Sequence, residues 1–174
     1  MNRIVATFVL AFAISPVAAQ KVRVDFDHSN DFSHYQTYRW AGPLTGDDLN
    51  QLMQERVVGF IEEALSARRL KRVKTGGDLV ISANVSVHRE DVFTTFSNST
   101  GFGWGWDAGW GSAISTTTVQ PIFRGTVTVD LVDARRNQLV FQGVSTSSLS
   151  SRPARNTKRL AKSVNGIFEK YPPR

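Results

Sequence analysis

The chain has no cysteine among its 174 residues. Disulfides, thiolate metal sites, a cysteine nucleophile and the lipid-bearing cysteine of a bacterial lipoprotein are all excluded by that one absence. Stability has to come from an ordinary packed core. Histidine is nearly absent too: His28, His34 and His88 are the only three. His28 and His34 are six positions apart, not the four that places two ligands on one helical face, so solvated or hydrogen-bonded histidines are favoured over a metal centre. No apolar run approaches the roughly twenty residues of a membrane-spanning helix. Nor is there an arginine-rich arm, and the basic residues are scattered, which speaks against a nucleic-acid partner.

What the chain does have at its start is a short basic segment, Met1-Asn2-Arg3, and an apolar run from Ile4 to Ile14. Ser15 and Pro16 break the run, and Val17-Ala18-Ala19 offers small residues for cleavage before Gln20. This is the layout of a secretory signal peptide over residues 1–19, with residues 20–174 left as one domain of ordinary size. Loss of Arg3 takes the formal charge from +6 to about +5. The expected location is the periplasm or the outer-membrane surface, without a lipid anchor.

Hydrophobic periodicity divides the exported part into elements. Val22, Val24 and Phe26 alternate with charged residues as in a half-buried strand, and Tyr35 to Trp40 is a second β-prone segment. Leu49, Leu52, Met53, Val57, Phe60, Ile61, Ala64 and Leu65 recur at helical spacing, with Asp47 or Asp48 as the expected cap and an end near Arg69 to Arg72. Asp78 to Asp91 alternates again and leads through β-prone Val92–Phe96 into a glycine- and tryptophan-rich tract. Beyond the tract, Thr116 to Leu131 returns as a strand, Asp133 to Asn137 forms a turn, and Leu139 to Ser147 is a further strand. A last helix carries Leu160, Val164, Ile167 and Phe168, with Asn156 as its expected cap and Tyr171-Pro172-Pro173 as its stop. One-sided strands with amphipathic helices predict an α+β two-layer sandwich, a largely antiparallel sheet with two helices on one face.

The tract from Thr100 to Ser112 reads T-G-F-G-W-G-W-D-A-G-W-G-S and holds three of the four tryptophans. Glycine makes such a segment costly to order, and tryptophan favours boundaries between apolar and polar surroundings. At the tip of a long hairpin, Phe102, Trp104, Trp106 and Trp110 are the candidate contact residues. Two uses are open to them: contact with a partner or membrane surface, or cover over one sheet face.

Other constellations are weaker. Asp25, Asp27, Ser29 and Asp31 alternate like the start of a calcium loop, but the glycine and glutamate such a loop needs are here Asn30 and Gln36. Asp130 and Asp133 are three apart on a strand and face opposite ways, so they do not form a hydrolytic pair. Asp133 is more simply a turn former. The serines from Ser145 to Ser151 lack a nucleophile-elbow context, and the glycines of the tract lack the following helix a phosphate cradle requires.

The series V-D-F-D-x4-F-S-x-Y-x-T-Y-x-W (Val24–Trp40), T-V-T-V-D-L-V-D-A (Thr126–Ala134), L-V-F-Q-G (Leu139–Gly143) and I-F-E-K-Y-P-P (Ile167–Pro173) resembles the domain-of-unknown-function family 4136. These are small exported envelope proteins, often lipoproteins, and commonly with a glycine- and aromatic-rich insert. The resemblance implies a cell-envelope location and a compact two-layer domain, and it carries over no catalytic residue. The expected function is non-enzymatic and needs no cofactor: an envelope accessory protein that contacts another envelope protein or a membrane surface through the loop. The alternatives are an exported small-molecule or carbohydrate binder and, after that, a metal- or carboxylate-dependent hydrolase.

Overall fold

The computed structural model describes residues 20–46, 49–98 and 114–172. Residues 1–19 (expected to be a signal peptide), Asp47 and Asp48, and the tract with Phe102, Trp104, Trp106 and Trp110 lie outside the described residues.

Seven strands form one mixed sheet: β1 (Lys21–Phe26), β2 (Thr37–Trp40), β3 (Thr45–Gly46), β4 (Lys71–Arg72), β5 (Leu79–Asn98), β6 (Ile114–Asp133) and β7 (Gln138–Ser148). Their order across the sheet is β1-β7-β6-β5-β2-β4, with β3 also pairing β5. From β1 to β5 every pairing is antiparallel. Beyond β5 the sheet turns parallel, because β2 and β3 both run alongside β5 and β4 runs alongside β2. That parallel edge is the part of the architecture the one-dimensional pattern did not foresee.

The helices α1 (Gln51–Ala67) and α2 (Pro153–Glu169) pack side by side on one face of the sheet. Val57, Ile61, Ala64 and Leu65 of α1 and Val164, Ile167 and Phe168 of α2 are buried. They meet Leu79, Ile81, Ala83 and Val85 of β5 and Val127, Val129 and Leu131 of β6, the residues that share the inward face of the pleat. Each fully buried aliphatic or aromatic side chain contributes roughly 1.5–3 kcal/mol, so this seam is where the domain's stability resides. Gly143 of β7 admits Ile167 so closely that a Cβ there would sit 2.1 Å from Ile167 Cγ2. An aromatic cluster of Phe32, Phe141, Phe168 and Tyr171 closes the end where the helices finish.

Both helix starts differ from the sequence expectation. The cap of α1 is Asn50, whose side chain accepts from the Met53 N–H at 2.9 Å; Asp47 and Asp48 lie before that position. Helix α2 begins with Pro153 after Arg152, with no side-chain cap. Proline suits that position because its missing N–H has no helical partner to lose. Asn156 instead clamps the preceding loop, accepting from Ser150 N–H at 2.7 Å and donating to Ser150 O at 2.8 Å. At its other end α1 closes with Arg69 at φ 64°, Arg69 N–H bonded to Ser66 O and Leu70 N–H to Leu65 O. This is a Schellman motif, and it buries Leu70 against Leu65. The Arg68 guanidinium reaches across to Phe168 O at the end of α2 (Nε at 3.1 Å, Nη2 at 2.5 Å), placing a cation at that helix's negative pole.

Candidate interaction surface

Strands β5 and β6 pair residue for residue without a bulge from Leu79↔Asp133 to Asn98↔Ile114. The rest of the sheet accompanies them only part of the way. Among the described residues β5 has its last partner on one side at Val85, opposite Gly46, and β6 its last on the other at Arg124, opposite Ser148. The helices begin at the same level, so residues 88–98 and 114–123 stand out from the body as a two-stranded arm. At about 3.3 Å per residue the arm extends on the order of 35 Å.

Among the described residues the arm is where large apolar side chains gather in the open; the others exposed are Leu52, Leu139 and, at the foot of the arm, Val87. Phe93 is 68 % exposed and Phe96 71 %, and Val92, Val119 and Phe123 are exposed beside them. Phe93 stands opposite Val119, and Thr95 opposite Thr117, where the two hydroxyls are 3.2 Å apart. From Val92 to Phe123 the sequence holds a single charged residue, Asp107. Charges appear only at the base, in the pairs Arg89–Asp91 (3.1 Å) and Arg124–Glu90. An exposed apolar surface with a charged margin is the usual appearance of a contact site.

Where the arm leaves the body, the starts of α1 and α2 and the sheet beneath them line a groove of about 190 Å³. Met53 and Leu160 line it from the helices, Val87 and Val127 from the sheet, and Leu49 and Leu149 from the segments just before α1 and just after β7. Leu149 lies across Gly125, where a Cβ would come within 3.0 Å of its Cδ2. The inner face of the arm (Phe93, Val119, Phe123) continues this apolar strip, because these residues share the pleat face of Val85 and Val127.

The polar groups singled out from sequence are engaged in holding loops. Asp133 is buried; its Oδ1 accepts from the N–H groups of Arg135 and Arg136 at 2.9 Å, and its Oδ2 from Tyr35 Oη at 2.8 Å and Arg136 Nε at 3.1 Å. Burial alone would raise its pKa, but these donors outweigh it and hold the carboxyl far below the usual carboxylate range. Tyr35 is pushed up by burial and by the facing carboxylate. Asp130 lies on the opposite face and accepts from Gln142 Nε2 at 2.8 Å, so the two aspartates do not converge. Asp27 accepts from Ser29 and Asp31 from Ser33, and the serine hydroxyl first and its backbone N–H second hold each carboxyl below its ordinary pKa. His28 packs on Phe26 and His34 on Tyr35, both at ring centroid distances of 4.1 Å. Asp78 accepts from the N–H groups of Gln36 and Thr37 and thereby fastens the start of β2. Among the described residues no group of three histidine, aspartate or glutamate side chains converges on a point a metal would occupy.

The candidate contact residues read from sequence, Phe102, Trp104, Trp106 and Trp110, lie outside the described residues, and the exposed stem beside them is a surface that the reading of Val92 to Phe96 as a β-prone lead-out does not single out. The signal available was the absence of charge on both sides of the tract.

Fold and surface together define a two-layer α+β domain that projects one uncovered hairpin. The chain belongs to the DUF4136 family, described as a domain of unknown function, whose model matches residues 22–173. Among solved structures it is similar to the PelC dodecamer from Paraburkholderia phytofirmans, at 10 % identity and a TM-score of 0.51 over 86 % of this chain and 95 % of that one. A point variant of the same dodecamer gives 12 % identity and a TM-score of 0.52 over the same shares. A PDZ domain protein from Parabacteroides distasonis gives 12 % identity and a TM-score of 0.57, over 88 % of this chain and 36 % of that one. At such identities the likeness is one of fold. No curated protein sequence matches the chain. Among the described residues no helix is long and apolar enough to cross a membrane.

Proposed function

We propose that this protein is a non-enzymatic accessory component of the cell envelope, exported and unlipidated, which works by binding through its hairpin arm. The observation that carries the reading is the exposure of Phe93, Phe96, Val119 and Phe123 on a charge-poor stem that leads into the aromatic tract. Phe102, Trp104, Trp106 and Trp110 are then further contact residues of the same hairpin, beside the phenylalanines of its stem. Binding is driven by burial of aromatic and aliphatic area, offset by the entropy of ordering the glycines. The likeness to a protein that crystallises as a dodecamer supports work in an assembly of several chains.

Crosslinking capture from intact envelopes tests the reading. Partners recovered with the wild type are expected to be lost when Trp104, Trp106 and Trp110 are replaced by alanine, and reduced when Phe93 and Phe96 are replaced by serine. Equal recovery by all three proteins would refute it. The groove favours a second reading, a carrier of a small apolar ligand, in which Leu49, Met53 and Leu160 would close over the guest.

A further inference from the structure

The structure carries an inference about which partner the arm takes, resting on the reading of the arm as a contact surface. We propose that the arm pairs edge to edge with the arm of a second copy of this chain, β5 of one copy bonding β6 of the next.

The backbone directions make this specific. Ile81 O accepts from Ala41 N–H at 2.8 Å, so at Ile81 the carbonyl points out of the β5–β6 pair toward β2. Ala83 O likewise points outward, to Thr45 Oγ1. On β6, Phe123 O points outward and accepts from Leu149 N–H at 2.7 Å. Since the ladder is unbroken, the odd-numbered residues from Val87 to Thr95 and from Ser115 to Val119 direct both amide and carbonyl groups to the open edges, and Pro121 directs its carbonyl alone. Among the described residues no strand meets them there above Val85 and Arg124. Pro121 is one of these residues, so its missing N–H costs the β5–β6 ladder nothing.

Open edges invite pairing, and the rest of this sheet is protected against it. β1 carries Lys21, Arg23 and Asp25 along its outer border, and β3 and β4 are two residues each. On the arm such devices are confined to the base, at Arg89, Asp91 and Pro121; between Val92 and Asn98 and between Ile114 and Gln120 threonine, valine and phenylalanine dominate. A ribbon of two strands with neither face covered is marginal in water and gains stability from further strands.

A second copy supplies those strands in the required direction. In two arms standing side by side and pointing the same way, β5 of one necessarily runs antiparallel to β6 of its neighbour. The open-edge residues of both strands also share one pleat face, so pairing sets Phe93 of one copy beside Val119 of the next in a continuous apolar row. Such an interface is heterologous and repeats from copy to copy.

The lack of cysteine gives a clean test. Thr95→Cys and Thr117→Cys are made as separate full-chain variants, mixed and oxidised, with sedimentation of the wild type in parallel. Expected are an oligomer and a mixed disulfide between the two variants in preference to either homodimer. Thr95→Lys at the open edge is expected to raise the concentration for half-association by about tenfold or more, with unchanged circular dichroism. A monomeric wild type, a dominant Thr95Cys–Thr95Cys pair, or an oligomer indifferent to Thr95→Lys would each overturn the proposal. So would association seen only on anionic phosphatidylglycerol vesicles without the mixed disulfide, which would assign the arm to a lipid surface. Loss of envelope partners on Phe93 and Phe96 replacement, with no arm-to-arm disulfide, would leave the binding function standing and remove only this partner.

Discussion

Gly143→Ala puts the central packing contact to the test. A Cβ at position 143 would lie 2.1 Å from Ile167 Cγ2, 3.2 Å from its Cβ and 3.3 Å from its Cγ1. Carbon atoms pack at about 3.5–4.0 Å, so α2 and β7 must separate locally by roughly 1.5 Å or Ile167 must leave its rotamer. Overpacking of a tight core typically costs about 1–3 kcal/mol, and a clash this deep belongs at the upper end. Alanine in a strand interior recovers roughly 0.5–1 kcal/mol of the entropy that glycine loses on folding. The net expectation is a loss of about 2 kcal/mol, read as a lower urea midpoint at constant m and a Tm lower by about 4–8 °C for a domain of this size. Ile167→Ala alone should cost about 2–5 kcal/mol through the cavity it leaves. The double variant places the new methyl in that cavity, so its loss should fall short of the sum by about 1 kcal/mol or more. A Gly143→Ala protein within about 0.5 kcal/mol of wild type, or strictly additive losses, would refute the packing argument.

Two further outcomes are expected. Arg69→Gly relieves a non-glycine residue at φ 64°, a conformation costing roughly 1–2 kcal/mol for L-residues, and after the unfolded-state penalty of glycine it should stabilise by about 0.5–1 kcal/mol in chemical denaturation. Asp133 has a folded pKa depressed below its unfolded value near 3.9, so its contribution is fully present above that value and is lost as pH falls below it. Asp133→Asn should cost about 1.5–3 kcal/mol at neutral pH, because the new amide confronts the Tyr35 and Arg136 donors, and should flatten the fall in stability measured below about pH 4.

The family motifs acquire a physical meaning only in three dimensions. The glycine of L-V-F-Q-G is Gly143 and the isoleucine of I-F-E-K-Y-P-P is Ile167, and the two are in direct contact. The tyrosine in F-S-x-Y is Tyr35, and the second aspartate of T-V-T-V-D-L-V-D-A is Asp133, joined by a 2.8 Å hydrogen bond across 98 positions. Each motif is weak as a string because each is half of a contact.

The sequence by itself determined the long elements, though not the two-residue strands β3 and β4, because strand and helix periodicities are local and the apolar residues obey them: those of Leu79 to Val85, Val127 to Leu131, Val57 to Leu65 and Val164 to Phe168 face the core as their spacing requires. It also determined the turn after β6, where Asp133 binds the following amides. Strand order was left to the tertiary structure. Nothing in Thr37–Trp40 encodes that it lies parallel to β5, since pairing depends on where α1 returns the chain. Exposure was left to it as well. Phe93 and Phe123 alternate as Ile81 and Leu131 do, and they differ in burial because the helices begin lower on the sheet than the hairpin ends. Alternation assigns a residue to a face, whereas only the second layer decides whether that face meets core or solvent.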